Sequence, residues 1–186
     1  MEDEIQKFID EGMKEHKEKV FFIEQRLGAE IHWFFTQAVE ALKNDLYVSA
    51  CTSFLIGIEA SLRFTMAQVE KPARVIELDS IKTLSNSLLK SARESGVPVE
   101  ALAFPDERDF LQKLETKRPN LVNVEVVRIR HNLCHGNILE FVNTELGEHN
   151  AFFTPECCRE LATLLHLVSK EWAMQLGAFR RTLFNA

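Results

Sequence analysis

An all-α, single-domain helical bundle is the fold these 186 residues predict, and three observations predict it. Apolar residues recur at helical spacing along most of the chain. One run, "ACTSFLIGIEASL" (50–62), carries Glu59 as its only charge and is apolar nearly all round, as a central buried helix is. The punctuation is that of helices: Gly28, Gly96 and Gly136 fall at predicted ends, and Thr154-Pro155-Glu156 at a predicted start.

Taken in order, Ile5, Ile9, Val20, Ile23 and Leu27 lie among Glu and Lys and predict an amphipathic helix over 3–27, weakened at Gly28. Ile31, Phe35, Ala38 and Leu42 predict a second helix over 29–42, and the apolar run sits in a third, from 46 to 69. Asp79 or Ser80 is placed to cap a fourth, carrying Ile81, Leu84, Leu88 and Ala92 and stopped by Gly96. Pro98, Pro105 and Pro119 then punctuate an irregular insertion near 96–120 that holds one short helix over 106–115. The run "NVEVVRIRHNLCHG" has the β-branched content of a strand. Asn123 as N-cap, Gly136 as stop, and Val122, Val126, Ile129 and Leu133 at helical spacing favour a helix instead. From Thr154 onward, Leu161, Leu165, Val168, Trp172, Leu176, Phe179 and Leu183 make one stripe on a long C-terminal helix. At 1.5 Å per residue it spans about 45 Å.

The length suits one domain over 1–186 with a real core. A net charge of −6, from 22 basic and 28 acidic residues, argues against a broad phosphate-binding surface, so any nucleic-acid contact has to be local. Cys51, Cys134, Cys157 and Cys158 show no CxxC spacing, and the adjacent pair is a poor disulfide, which points to reduced thiols. There is no apolar leader and no run of about 18 apolar residues. A cytoplasmic chain without a signal peptide or membrane span is the expectation.

The densest polar chemistry lies in "RIRHNLCHGN" (128–137). On a helical wheel Arg128, His131, Asn132 and His135 share one face, opposite Val126, Ile129 and Leu133, while Arg130 lies close to the apolar side. A guanidinium keeps its charge, so an inward one needs a carboxylate, and Glu59 on the apolar helix has the complementary need. Glu59 is therefore expected to pair with Arg130 or Arg128. Spacing alone is equally compatible with an ordinary helix end, where His, Arg and Asn are common.

The segment Arg130 to His135 ("RHNLCH") is similar to the R-x4-6-H signature of the HEPN superfamily. The residue after its arginine, here His131, is of the type that family uses, and the trailing "HGN" resembles its His-Gly ending. The apolar helix with one isolated acid, Glu59, fits the same likeness. The resemblance implies a metal-independent endoribonuclease that works as a homodimer with a composite active site and needs no cofactor. In that reading the ribose 2′-hydroxyl attacks the adjacent phosphate. His135 serves as acid/base, Arg130 holds the phosphate, and His131 and Asn132 orient the substrate or support His135. Two arginines compete for the phosphate. The four-residue register selects Arg130, which can reach the phosphate if the helix unwinds before Gly136. A helix regular through His135 instead favours Arg128, on the His135 face at a spacing the pattern also permits, and leaves Arg130 to Glu59. Arg130 ranks slightly ahead. The resemblance further admits a toxin-like or defence role, with an antitoxin or other regulatory protein as partner.

Two other readings stand beside this one. A catalytically silent RNA- or nucleotide-binding or protein-interaction module would keep the fold, and the acidic net charge suits it. A zinc or nickel site on His131 and His135 lacks the Glu of H-E-x-x-H and would need His166 or Glu59 from another helix. Elsewhere, His32 and His166 read as packing residues and Cys157-Cys158 as apolar filler at a helix start. Arg180-Arg181 is a minor candidate for RNA contact.

Overall fold

A computed structural model describes residues 2–28, 30–79, 81–144, 147, 149 and 151–184. Among them are seven α-helices and no strand: α1 (Glu2–Glu24), α2 (His32–Lys43), α3 (Tyr47–Glu70), α4 (Asn86–Glu94), α5 (Phe110–Leu114), α6 (Glu125–Cys134) and α7 (Arg159–Phe184). No helix among the described residues is long and apolar enough to cross a membrane.

The centre is α3, as its all-round apolarity predicts. Ala50, Cys51, Phe54, Leu55, Ile58 and Leu62 are buried along it. A three-residue connection (44–46) folds α3 back on α2, and Gly57 lets them close: a Cβ there would lie 2.9 Å from the Phe35 ring. The long α7 packs on the same core through Ala162, Leu165, Trp172 and Leu176. Trp172 Nε1 donates to Ser61 Oγ at 2.9 Å, which satisfies both buried polar atoms. Gly177 admits the chain turn after α1, since a Cβ would meet the Gln25 carbonyl at 2.5 Å. The Thr-Pro-Glu signal does start the last helix, as a 3-10 turn (Pro155–Cys158) that runs into α7. Cys51 and Cys158 meet as free thiols in the core, where the neighbouring Cys158 thiol and, after it, burial raise the Cys51 pKa far above its usual value.

Several boundaries differ from expectation, each for a physical reason. The first helix ends at Glu24, before Leu27. Phe22, stacked on Phe35 at 4.8 Å, carries its packing, whereas Ile5, Ile9 and Ile23 are exposed. Ser80 lies outside the described residues. Asp79 accepts from the Ile81 amide but caps only a local turn; α4 is capped six residues later by Ser85, whose Oγ accepts from the Leu88 amide at 3.3 Å. Ile81, expected on its buried stripe, is 87% exposed. Within the insertion the short helix shrinks to five residues (110–114), and a 3-10 turn (Val99–Leu102) is buried against α7. Arg180 is no RNA contact. It is buried, donates to the Arg26 carbonyl and Thr65 Oγ1, each at 3.1 Å, and stacks on Phe64.

His166 is a packing residue with a titratable consequence. It stacks on Phe54, and its Nε2 faces Glu18 of α1 at 3.4 Å; Lys170 Nζ bonds the same carboxylate at 2.9 Å. Burial holds the His166 pKa below its ordinary value, against the opposing pull of Glu18. Burial pushes Glu18 up, but Lys170 and His166 together bring it below its usual range. A histidine pKa lowered by folding means the unfolded chain takes the proton first, so stability falls as pH drops below about 6.5. The Glu18 contribution is lost only lower, through the carboxylate range. The urea midpoint should therefore decline between about pH 6.5 and 5, and His166→Gln should flatten that window.

Candidate functional site

The site helix α6 is anchored at both ends by contacts from outside it. Its N-cap is Val124, not Asn123, and no side chain of its own segment caps it. Glu107 Oε1 accepts from the Glu125 amide at 2.8 Å, and Asn86 Oδ1 accepts from the Val124 amide at 3.2 Å. Buried Val126, Val127 and Ile129 seat the helix on the core. At the other end Gly136 adopts φ +72°, which permits two closing bonds. The Gly136 amide donates to Leu133 O at 3.3 Å and the Asn137 amide to Asn132 O at 2.9 Å, a Schellman motif. The helix is therefore regular through Cys134, with His135 as its C-cap.

That regularity sorts the polar residues. His131 and His135 are exposed one turn apart, with ring centroids 4.4 Å apart and planes at 52°. Asn132 is half-buried beside them. Arg130 turns inward, and its Nε bonds Glu59 Oε2 at 2.9 Å, the pairing the two stranded charges required. A third group joins them: Arg63, one turn along α3, places NH1 3.6 Å from Glu59 Oε1 and donates through NH2 to the Asp79 carbonyl. Sequence reasoning missed Arg63; its i,i+4 spacing from Glu59 was the available signal.

Arg128 lies on the histidine side but is held differently. Its Nε and NH2 both bond Glu125 Oε2, at 2.9 and 2.8 Å, and its NH1 bonds Glu140. Hydrogen bonding to Glu125, reinforced by Glu140, holds Arg128 more firmly protonated than usual. Its structural effect is to fold the segment after Gly136 back onto α6. The local charge then separates the two arginines. Arg130 and Arg63 share one carboxylate, leaving +1, whereas Arg128 meets two carboxylates, leaving −1. Among the described residues Arg130 makes no hydrogen bond beyond the one to Glu59, so its two terminal nitrogens are uncommitted.

The other residues weighed for this site lie elsewhere. His166 faces Glu18, and Glu59 is engaged by arginines, so neither joins His131 and His135. No group of three metal-ligating side chains occurs among the described residues. Arg63 also borders a cavity of about 510 Å³ between α3 and α4 with Met66, Leu78, Ser85 and Leu88. Comparison of the chain with protein-family models, curated proteins and solved structures found no match.

Proposed function

We propose that the chain is a metal-independent endoribonuclease of the HEPN type, with its site at the C-terminal end of α6. The observation that carries this reading is the exposed His131–His135 pair on the helix whose Arg130 shares one carboxylate with Arg63. Such a group suits transesterification of RNA. His135 removes the 2′-hydroxyl proton, the 2′-oxygen bonds the adjacent phosphorus, and the bond to the 5′-oxygen breaks. The 5′-oxygen takes up a proton, giving a 2′,3′-cyclic phosphate and a free 5′-hydroxyl. Arg130 would bind the phosphate with the parallel hydrogen bonds of a guanidinium fork. His131 and Asn132 would orient the ribose or His135. The resemblance adds a homodimer in which two such helix ends face one RNA. A toxin-like or defence role, with a regulatory protein partner, rests on that resemblance alone.

A silent RNA-binding or interaction module is the second reading, favoured by the complete engagement of Arg128 by Glu125 and Glu140. Total RNA incubated with the purified protein in excess EDTA separates the two. The enzyme cleaves it and leaves cyclic-phosphate ends, and His135→Ala abolishes cleavage while leaving thermal stability within about 0.5 kcal/mol, as an exposed substitution should. Intact RNA with folded wild-type protein would rule the enzyme out and leave the module.

A further inference from the structure

Ahead of Glu18, the described side chains of α1 do not pack on the bundle. Every side chain described from Ile5 to Lys17 is exposed, and the first contacts with α7 come at Glu18, through His166 and Lys170. At 1.5 Å per residue the stretch from Ile5 to Lys17 is an arm of roughly 20 Å. Its apolar residues are not scattered. On a helical wheel Ile5, Phe8, Ile9, Met13 and Ile23 fall within a sector of about 140°, with Ile5, Ile9, Met13 and Ile23 turned away from the buried Phe22 and Phe8 at the sector's near edge. They are 56, 78, 45, 55 and 43% exposed. Bundle packing leaves this stripe bare along the length of α1.

Charge runs along the arm as well. Residues 2–11 hold five acids against Lys7, a net −4, while residues 12–20 hold three lysines against Glu15 and Glu18, a net +1. An antiparallel second copy of the arm meets that pattern without another partner, because it lays each acidic half beside the other's lysine-bearing half. Gly12 sits at the centre of the stripe, where an added Cβ would meet nothing within 4 Å, so two helices can approach closely there.

The area is adequate. An aromatic side chain buries about 150–250 Å², so five large apolar side chains that are about half exposed offer on the order of 500 Å² per copy. With the ~60% apolar share of an ordinary interface, that corresponds to about 800 Å² per partner, the size of a stable one. A lipid surface fits less well, since the acidic half would be repelled by anionic headgroups.

We propose that the α1 arm is a self-association surface, pairing with the α1 arm of a second copy in an antiparallel helix pair that crosses near Gly12 and Met13. Ile9 then packs beside the second copy's His16, and Ile5 beside its Val20. The surface lies on a different helix from His131 and His135, and the inference does not rest on the ribonuclease reading, because association is measured without RNA.

Sedimentation velocity of the full chain should show a dimer at micromolar concentration. The double substitution Phe8→Glu/Ile9→Glu should weaken it roughly 100-fold, with the thermal midpoint of the monomer unchanged because neither side chain touches the bundle. With exposed Cys134 replaced by Ser, Gly12→Cys should cross-link to itself under diamide, and Ile5→Cys should not. A monomeric wild type overturns the proposal, as does a dimer indifferent to the double substitution. Equal cross-linking at positions 5 and 12 overturns the antiparallel register. Wild type that stays monomeric but floats with phosphatidylcholine vesicles assigns the stripe to lipid instead.

Discussion

Glu107→Ala is expected to destabilise the protein by about 2–4 kcal/mol, although Glu107 is not in the site, in α6 or in any apolar stripe. Its side chain is 1% exposed and accepts hydrogen bonds from three directions. Lys113 Nζ lies at 3.0 Å, the Glu125 amide at 2.8 Å and the Phe104 amide at 3.5 Å. Alanine would leave the Lys113 ammonium with only the more exposed Asp109, at 3.1 Å, and would orphan the first amide of α6. An unpaired buried donor costs about 1–3 kcal/mol and a broken buried ion pair more, so the two losses set the range. For a chain of this size the midpoint should fall by roughly 5–15 °C. Amide exchange should quicken first at the start of α6. Glu107→Gln keeps an acceptor for the Glu125 amide and should lose about half as much. A midpoint within about 2 °C of wild type for Glu107→Ala would show that α6 is capped by other means.

The same residue shows where sequence reasoning stops. α3 was legible because a helix apolar on every side has only one place to go, and α7 because Thr-Pro-Glu is a local start signal. The end of α6 was legible because Gly136 is the residue a Schellman motif needs. The Glu59–Arg130 pair was legible for a related reason: each charge sat alone on an apolar surface and needed the other. The start of α6 was not. Asn123 is a good local cap, but Glu107 reaches the Glu125 amide and Asn86 the Val124 amide from 18 and 38 residues away, and no local pattern records that. Ser85 likewise displaced Asp79 as the start of α4, because the chain between them makes a turn. The apolar stripe of α1 was read from its spacing, but spacing does not say which stripes the bundle covers. The engagement of Arg128 by Glu140 was hidden in the same way, since the chain must first turn at Gly136 to bring them together.

That last contact decides the contrast with the largest expected effect on activity. Arg130→Ala should lower RNA cleavage roughly 10²–10³-fold, the usual cost of removing a preorganised donor to developing charge. Arg128→Ala should stay within about threefold of wild type, because its three nitrogens already answer carboxylates and a phosphate would have to displace them. The wheel alone argues the reverse, as it places Arg128 beside His135. Net charge outweighs position: an anion approaching Arg128 meets −1 in its immediate group, and one approaching Arg130 meets +1. The fold should tolerate Arg130→Ala at a cost near 1 kcal/mol, since Glu59 keeps Arg63 and is not left as an unpaired charge. Arg130→Lys separates the fork from the charge. If two parallel hydrogen bonds matter, lysine recovers the stability and little of the rate. Single-turnover cleavage measured beside thermal melts reads both quantities on the same samples. Arg128→Ala losing as much activity as Arg130→Ala, with melts unchanged, would overturn the assignment and return the phosphate to the histidine face of α6.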